Sequence, residues 1–187
     1  MINATTIGIL IGSLIIGLCI FIAVTYNTLV QERNKVKEAF STMDVYLKKR
    51  FDLIPSLVEV VKGYAKHETD TLQEVTKMRT VSQQGDLNSA INSEMKIGDA
   101  LKSLIAVVEK YPKLKANTNF LDLQGRLSKM EEEIAFSRRY YNGSVRVYNN
   151  QCQMFPFNLI AAMFGFKELS MYAVESERER NVVDVKL

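Results

Sequence analysis

The sequence of 187 residues contains no tryptophan, only three prolines, nine glycines and one histidine. Because the turns of β proteins depend on proline and glycine, this scarcity leaves little room for a turn-rich β fold. The two cysteines, Cys19 and Cys152, are far apart in the chain. Two cysteines so placed do not form a disulfide scaffold, and their number is compatible with a reducing compartment.

Motifs of common catalytic and cofactor sites are also missing. His67 is the single histidine, and without a second histidine, an HExxH motif or a CxxC motif the chain lacks a usual zinc site. There is no Walker loop, no dinucleotide fingerprint and no histidine partner for a serine triad beyond His67. We therefore expect a protein that is not an enzyme, with no catalytic residues, no cofactor and no metal ligands.

Charge is absent from the first 31 residues, and Glu32 opens a chain in which both signs are interleaved. Residues 7–26 are almost entirely apolar, and about 20 helical residues cross a hydrocarbon core of roughly 30 Å. A cleaved signal peptide needs basic residues before the apolar stretch and small residues at a cleavage site, and neither occurs here. The pattern predicts a retained transmembrane helix over 7–26, preceded by a short extracytoplasmic tail at 1–6.

Basic side chains follow this predicted span, whereas none precedes it. They include Arg33, Lys35, Lys37 and Arg50. Positively charged flanks stay on the cytoplasmic side of a membrane. We therefore expect a single-pass protein of the cell membrane, with its N-terminus outside and its bulk domain in the cytoplasm.

Four stretches after the span carry apolar residues at the spacings of amphipathic helices. They predict helices at about 27–52, 55–83, 86–110 and 118–153. The first continues from the span, and Pro55 is expected to end or kink it, with Asp52 as the N-cap of the next helix. Asn117-Thr118-Asn119 offers caps for the last helix. The stripe of the third helix is interpreted as Leu87, Ile91, Met95, Leu101, Ile105 and Val108.

These helices predict an all-α fold, in which the N-terminal transmembrane helix continues into an antiparallel four-helix bundle over 27–153. A single long coiled coil is the alternative, which the breaks at Pro55, Gly85 and Pro112 disfavour. A short apolar segment at 154–172 is too short to span a membrane. We expect it to pack on the bundle, with the membrane interface or a partner protein as alternatives. Residues 173–187 are expected to form a polar flexible tail.

Specific motifs run through nearly the whole chain. They include Tyr26-Asn27-x-Leu29-Val30, Glu38-Ala39-Phe40-Ser41, Asp52-Leu53-Ile54-Pro55, Val61-Lys62-Gly63-Tyr64-Ala65, Tyr111-Pro112-x-Leu114-Lys115-Ala116 and Tyr148-Asn149. In these motifs the sequence resembles the LemA family of bacterial single-pass membrane proteins, although the usual tryptophan after Glu-Ala is Phe40 here. The resemblance implies a single N-terminal span, a cytoplasmic four-helix bundle and no established enzymatic activity. A relative that helps to build magnetosome membranes adds an analogy to membrane organisation.

Charged side chains also lie on the predicted apolar stripes. Because buried charges are costly unless they are paired, we expect a structural polar network of Arg33, Glu68, Arg79 and Arg138, in which Glu68 meets Arg33 or Arg138. The alternative is that they lie at the rim of the bundle. The acidic run at 131–133 points in several directions around a helix and predicts a solvated face.

Two further patterns suggest contacts. Tyr-Asn occurs at 141–142 and again one heptad later at 148–149. It is typical of core tyrosines with paired hydroxyl groups, and a groove for a peptide or ligand is the alternative. The pair Gly8-x-x-x-Gly12 would let two spans approach closely and so predicts self-association through the span.

The sequence as a whole predicts a non-enzymatic scaffold or adaptor that presents a helical bundle at the cytoplasmic membrane face. The alternatives are an oligomeric membrane-organising protein and a small-ligand binder that uses the bundle interior. The expected partners are the lipid bilayer and unidentified membrane or cytoplasmic proteins, with a homo-oligomer as a further possibility. No basic block with interleaved aromatic residues occurs, so nucleic acid is not expected as a partner.

Overall fold

The computed structural model describes residues 4–65 and 87–172 of the chain. Within these ranges the chain is helical with irregular connections and contains no strand, so the all-α prediction is confirmed. The helices are α1 (Ala4–Tyr64), α2 (Leu87–Glu109), α3 (Pro112–Lys115), α4 (Thr118–Gln153) and α5 (Phe157–Met163).

Helix α1 continues through Pro55 to Tyr64. The expected end of the helix at Pro55 is therefore wrong, whereas a kink there stays a prediction. Asp52 lies inside the helix instead of capping a new one. Proline removes one backbone donor from a helix and costs about 3 kcal/mol in its interior. Ile54 and Leu57, on either side of the proline, are buried in the core. Burying a large aliphatic side chain stabilises by roughly 1.5–3 kcal/mol, so the two together offset the cost of the proline.

The first part of α1 carries the only stretch in the described residues that is long and apolar enough to cross a membrane. None of its most apolar 18-residue window is buried inside the protein. Gly8 and Gly12 have open space where a Cβ atom would lie. The predicted pairing of spans through these glycines stays a prediction.

Local signals account for the ends of the next helices. Helix α2 ends at Glu109, shortly before Pro112, which occupies the first turn of α3. Asn117 then caps α4, because its Oδ1 accepts a hydrogen bond of 3.1 Å from the Phe120 amide. Such a cap pairs one of the amides that the first helical turn leaves without a partner.

The described residues divide into two compact units. The first comprises Met1–Ser41 with Arg139–Met171, and the second comprises Thr42–Arg138 with Tyr172–Leu187. In the second unit one hydrophobic core joins α1, α2, α3 and α4. Its buried members are Ile54, Leu57, Val58, Val61, Ala65, Ile97, Ala100, Leu101, Leu104, Val107, Val108, Leu114, Phe120 and Leu127.

In the first unit α5 packs against α1. Leu29 is fully buried and forms a small core with Ile160 and Ala161. A glycine turn ends α5, in which Gly165 adopts a positive φ of 72°. The Phe166 amide donates to the Ala161 carbonyl at 2.9 Å. This paired turn is the Schellman motif, which needs a residue without a Cβ atom at the left-handed position.

Several expectations fall on residues outside the described ranges. They are most of the predicted second helix at 55–83, the boundary at Gly85, and the tail at 173–187. The number of helices in the bundle therefore stays a prediction.

Candidate functional site

A buried cluster of charged side chains lies in the second unit around Glu94 of α2, whose exposed fraction is 7 %. Arg50 of α1 approaches Glu94 Oε1 with its Nη1 at 3.5 Å. Arg138 of α4 forms a second ion pair with the same oxygen. The Tyr172 hydroxyl donates a hydrogen bond to the other carboxylate oxygen, Oε2. Three parts of the chain thus converge on one carboxyl group of α2.

Arg50 connects this carboxyl group to a second one. Its Nη2 lies 2.8 Å from Glu131 Oε1. The Arg50 residue is only 4 % exposed, whereas the Glu131 side chain is about half exposed. Glu131 and Glu132 are exposed, in agreement with the predicted solvated face at residues 131–133, although the Glu131 carboxylate also pairs with the buried Arg50 guanidinium. The two arginines and two carboxylates of the cluster together give it a formal charge of zero.

Arg138 and Tyr172 also contact each other directly. The guanidinium carbon of Arg138 lies 5.0 Å from the centre of the Tyr172 ring. A guanidinium over an aromatic face gains electrostatic attraction to the ring as well as packing. Tyr172 therefore holds both charged partners, Glu94 through its hydroxyl and Arg138 through its ring.

Burial and ion pairing act on Glu94 in opposite directions. The pKa of the Glu94 carboxyl is raised to about 7 as the net result: burial raises it most, the Arg50 charge lowers it, and the Glu131 charge raises it. Desolvation is the largest of these causes because Glu94 has lost nearly all contact with water. The Glu94 carboxyl consequently changes its protonation near neutral pH, where an exposed glutamate stays ionised.

A shallow groove of about 390 Å³ lies next to the cluster, between α2 and α4. Arg50 and Glu131 line it together with the apolar residues Leu101, Ile105 and Leu127. The Arg50 guanidinium in its wall is already paired with two carboxylates. In the described part of the chain, no group of three or more His, Cys, Asp or Glu side chains could hold a metal ion.

The predicted polar network is placed only in part. Arg138 belongs to the cluster, whereas Arg33 is exposed. Successive residues of a helix are rotated by about 100° around its axis. Arg33 therefore lies about 75° around α1 from the middle of the buried face, which puts it at the rim of that face. Glu68 and Arg79 lie outside the described residues. Sequence reasoning missed Arg50, Glu94 and Tyr172.

A second constellation lies in the first unit and involves the Tyr-Asn repeat. Tyr141 and Tyr148 are buried, and their hydroxyls donate to the carbonyls of Ser170 and Lys167, each at 3.0 Å. Asn149 makes two hydrogen bonds of 2.9 Å to Leu169, one to its carbonyl and one from its amide. The chain's own residues 167–170, which we call the C-terminal strap, thus occupy the face of α4 that these side chains form.

Burial also fixes the protonation of these tyrosines. It raises the pKa of Tyr148 to about 12 and raises the pKa of Tyr141 as well. Both hydroxyls therefore keep their protons, and remain donors to the strap, at every physiological pH.

Comparison with known proteins assigns the family. Protein LemA of Metamycoplasma hominis is 28 % identical over 179 residues, which cover 94 % of this chain and 81 % of that protein. Magnetosome protein MamQ 2 of Paramagnetospirillum magneticum is 24 % identical over 189 residues, covering 87 % of this chain and 70 % of that relative. The family model of LemA matches residues 39–187. This match covers most of the chain, including α2 to α5, the charged cluster and the strap, and the chain therefore belongs to the LemA family.

Proposed function

We propose that this protein is a non-enzymatic scaffold or adaptor, held in the cell membrane by the first part of α1. The observation that carries the proposal is that one helix, α1, includes both the apolar stretch and core residues of the helical domain. A partner bound to the domain is thereby held at the bilayer. We further propose that the helices form an antiparallel four-helix bundle on the cytoplasmic side, with the N-terminal tail outside.

The pairing of the charged side chains supports a structural role for the cluster. Arg50 and Glu94 are buried and engage each other. Arg138 pairs with the same oxygen of the Glu94 carboxyl group, and the Tyr172 hydroxyl binds the other oxygen. A catalytic carboxyl or guanidinium group must reach a substrate, whereas these groups are paired with one another. Such a cluster fixes the relative positions of α1, α2 and α4 within the second unit.

A membrane-organising oligomer is the second candidate. Two observations favour it: the relatives that bear the name magnetosome protein and an exposed apolar face on α5. A small-ligand binder has less support, because the groove beside Arg50 is shallow and its guanidinium already has carboxylate partners.

Site-specific photo-crosslinking in living cells tests the scaffold function. A photoreactive amino acid replaces Tyr140 or Val147, two half-exposed side chains of α4 in the first unit. The matched control carries it at Leu14, which is exposed in the apolar stretch. Both positions on α4 are expected to capture the same small set of proteins, and the purified protein is expected to bind them directly.

The result that contradicts the proposal is equally specific. If both α4 positions yield only the adducts that Leu14 also yields, the domain offers no surface to protein partners. Crosslinks exclusively to further copies of this chain favour the membrane-organising oligomer.

A further inference from the structure

We propose that α5 is a second membrane contact, whose exposed apolar side chains insert among the lipid acyl chains beside α1. The inference rests on the proposed anchoring of α1 in the membrane. The exposed apolar face of α5 contacts lipids of the leaflet in which the apolar stretch of α1 ends.

Three large apolar side chains, which we call the stripe, are exposed in α5 and in the turn before it. Leu159 and Met163 are 59 % and 62 % exposed, and Phe155, in the turn that leads into α5, is 78 % exposed. Leu159 and Met163 lie on the same face of α5, because they are four residues apart in the helix. The opposite side of α5 carries Ile160 and Ala161, which are buried against Leu29. The helix therefore has an apolar inner face and an equally apolar outer face.

Ring contacts place α5 at the end of the predicted span. Phe157 packs edge-on against Phe21, with ring centres 6.4 Å apart. Phe164 and Phe166 pack against Tyr26, with ring centres 4.9 and 5.6 Å apart. Aromatic contacts thus hold the short helix against α1 at both of its ends.

The depth of these contacts follows from the rise of α1. Phe21 precedes the end of the predicted span at Tyr26 by about 7.5 Å along the helix axis, and Leu29 follows that end by about 4.5 Å. Helices that lie in a membrane interface bury their apolar face about 5–10 Å into the boundary between headgroups and acyl chains. The depth of Phe21 falls within this range, whereas Leu29 lies on the headgroup side of the end of the span. The proposal therefore places the Phe157 end of α5, with the neighbouring Phe155, at the level of the upper acyl chains.

The distribution of charge favours lipid over water at this level. The first 31 residues carry no charged side chain, and neither do residues 147–166, between Arg146 and Lys167. The structure brings these two charge-free stretches together in the first unit through Leu29 and Ile160. A groove of about 340 Å³ separates them near Cys19 and Phe164 and is almost entirely apolar. The apolar surface of the span therefore continues without a charge onto α5.

Tryptophan fluorescence of the full-length protein in liposomes tests this proposal, because the chain has no tryptophan of its own. Phe155→Trp places a single reporter on the stripe, and Met163→Trp is a second reporter if the first variant folds poorly. Phe21→Trp reports on the span, and Phe136→Trp reports from an exposed position of the second unit. The liposomes contain phosphatidylcholine brominated in the upper part of its acyl chains, which quenches only tryptophan in contact with it.

Insertion predicts blue-shifted emission from Phe155→Trp and at least about half of the quenching that Phe21→Trp gives, whereas Phe136→Trp stays unquenched. Red-shifted, unquenched emission from Phe155→Trp and Met163→Trp, beside strong quenching of Phe21→Trp, overturns the proposal. Blue-shifted but unquenched emission also overturns it, because a protein surface then covers the stripe. Absence of quenching from Phe21→Trp contradicts the anchoring itself and so separates failure of the proposed function from failure of this inference.

Discussion

At the scale of single residues, the Glu94 carboxyl group is where the cost of burial competes with the gain from ion pairs. An unfolded chain releases this proton near pH 4.5, and the folded protein releases it near pH 7. Between these values the folded state binds more protons, so the Glu94 contribution to stability is lost as pH rises through this window. A shift of this size corresponds to roughly 3 kcal/mol at most.

The variant Glu94→Gln tests which of the two effects is larger. Glutamine keeps the size of the side chain and removes its titration. The unfolding midpoint of Glu94→Gln, relative to that of the unchanged protein, is therefore expected to rise by several degrees between pH 5 and pH 8. Circular dichroism of the full-length protein in detergent measures this difference. The control variant Glu132→Gln removes an exposed carboxyl group. Its difference in unfolding midpoint from the unchanged protein should stay constant between pH 5 and pH 8.

The opposite trend would contradict the raised pKa. If the unchanged protein gains stability over Glu94→Gln as pH rises, the charges of Arg50 and Arg138 outweigh the burial of the carboxyl group. The pH dependence then has the sign of an ordinary salt-bridged glutamate.

Asn149 is the second residue whose role is open to a direct test. Asn149→Ala removes both hydrogen bonds to Leu169 and leaves a half-buried amide and carbonyl of the strap without partners. The cost is about 1–3 kcal/mol, and hydrogen exchange of the Leu169 amide is expected to accelerate roughly tenfold or more. Asn150→Ala changes the neighbouring, exposed amide and should have little effect. Equal exchange in the two variants would show that Asn149 does not hold the strap.

At the scale of secondary-structure elements, Pro55 gives a prediction about α1. Its side chain is exposed, so Pro55→Ala removes no core contact and restores a helical donor. A proline costs about 3 kcal/mol in a helix interior, and its restriction of the unfolded chain returns up to about 1 kcal/mol. Pro55→Ala is therefore expected to stabilise the protein by about 2 kcal/mol, measured by chemical unfolding in detergent.

A neighbouring substitution provides the control for this effect. Ser56 is also exposed and one residue further along α1, and Ser56→Ala is expected to change stability by about 0.5 kcal/mol or less. If Pro55→Ala is no more stable than Ser56→Ala, the proline is not a strained position in the helix.

The contrast between Pro55 and Asn117 explains how much of the fold the sequence could predict. At Asn117 a local signal decides, since its side chain pairs with the Phe120 amide three residues later. At Pro55 a local signal is overruled, because Ile54 and Leu57 are buried by helices that are distant in sequence. Helix type and capped ends are therefore predictable from local patterns, whereas the continuation of a helix across a breaker depends on tertiary packing.

The site was missed because the predicted apolar stripe of α2 is correct only in part. Leu101 and Val108 are buried as predicted. Met95 and Ile105, interpreted as core positions, are exposed, whereas Ile97 and Leu104 are buried. With the observed phase, Glu94 lies on the apolar face, where a charge signals a buried pair. Its partner Arg50 belongs to another helix. Periodicity can thus locate a buried charge, but only the fold identifies the side chain that meets it.

At the scale of the whole molecule, the proposed topology makes a prediction about chemical access. Thr5→Cys and Lys102→Cys are introduced singly into a chain in which Cys19 and Cys152 are serine. Both positions are exposed. Because basic residues follow the apolar stretch, a membrane-impermeant maleimide is expected to label residue 5 in intact spheroplasts and residue 102 only after permeabilisation. The reverse pattern of labelling would invert the topology.

The strap has a consequence for how the chain can change during evolution. Its bonds from Tyr141, Tyr148 and Asn149 go to backbone atoms of residues 167–170. A backbone carbonyl is the same in almost every amino acid, so mutations in the strap itself can accumulate while its position on α4 is retained. Selection then acts on the three recognising side chains. Alignment of the strap alone would underestimate how strongly its path is maintained.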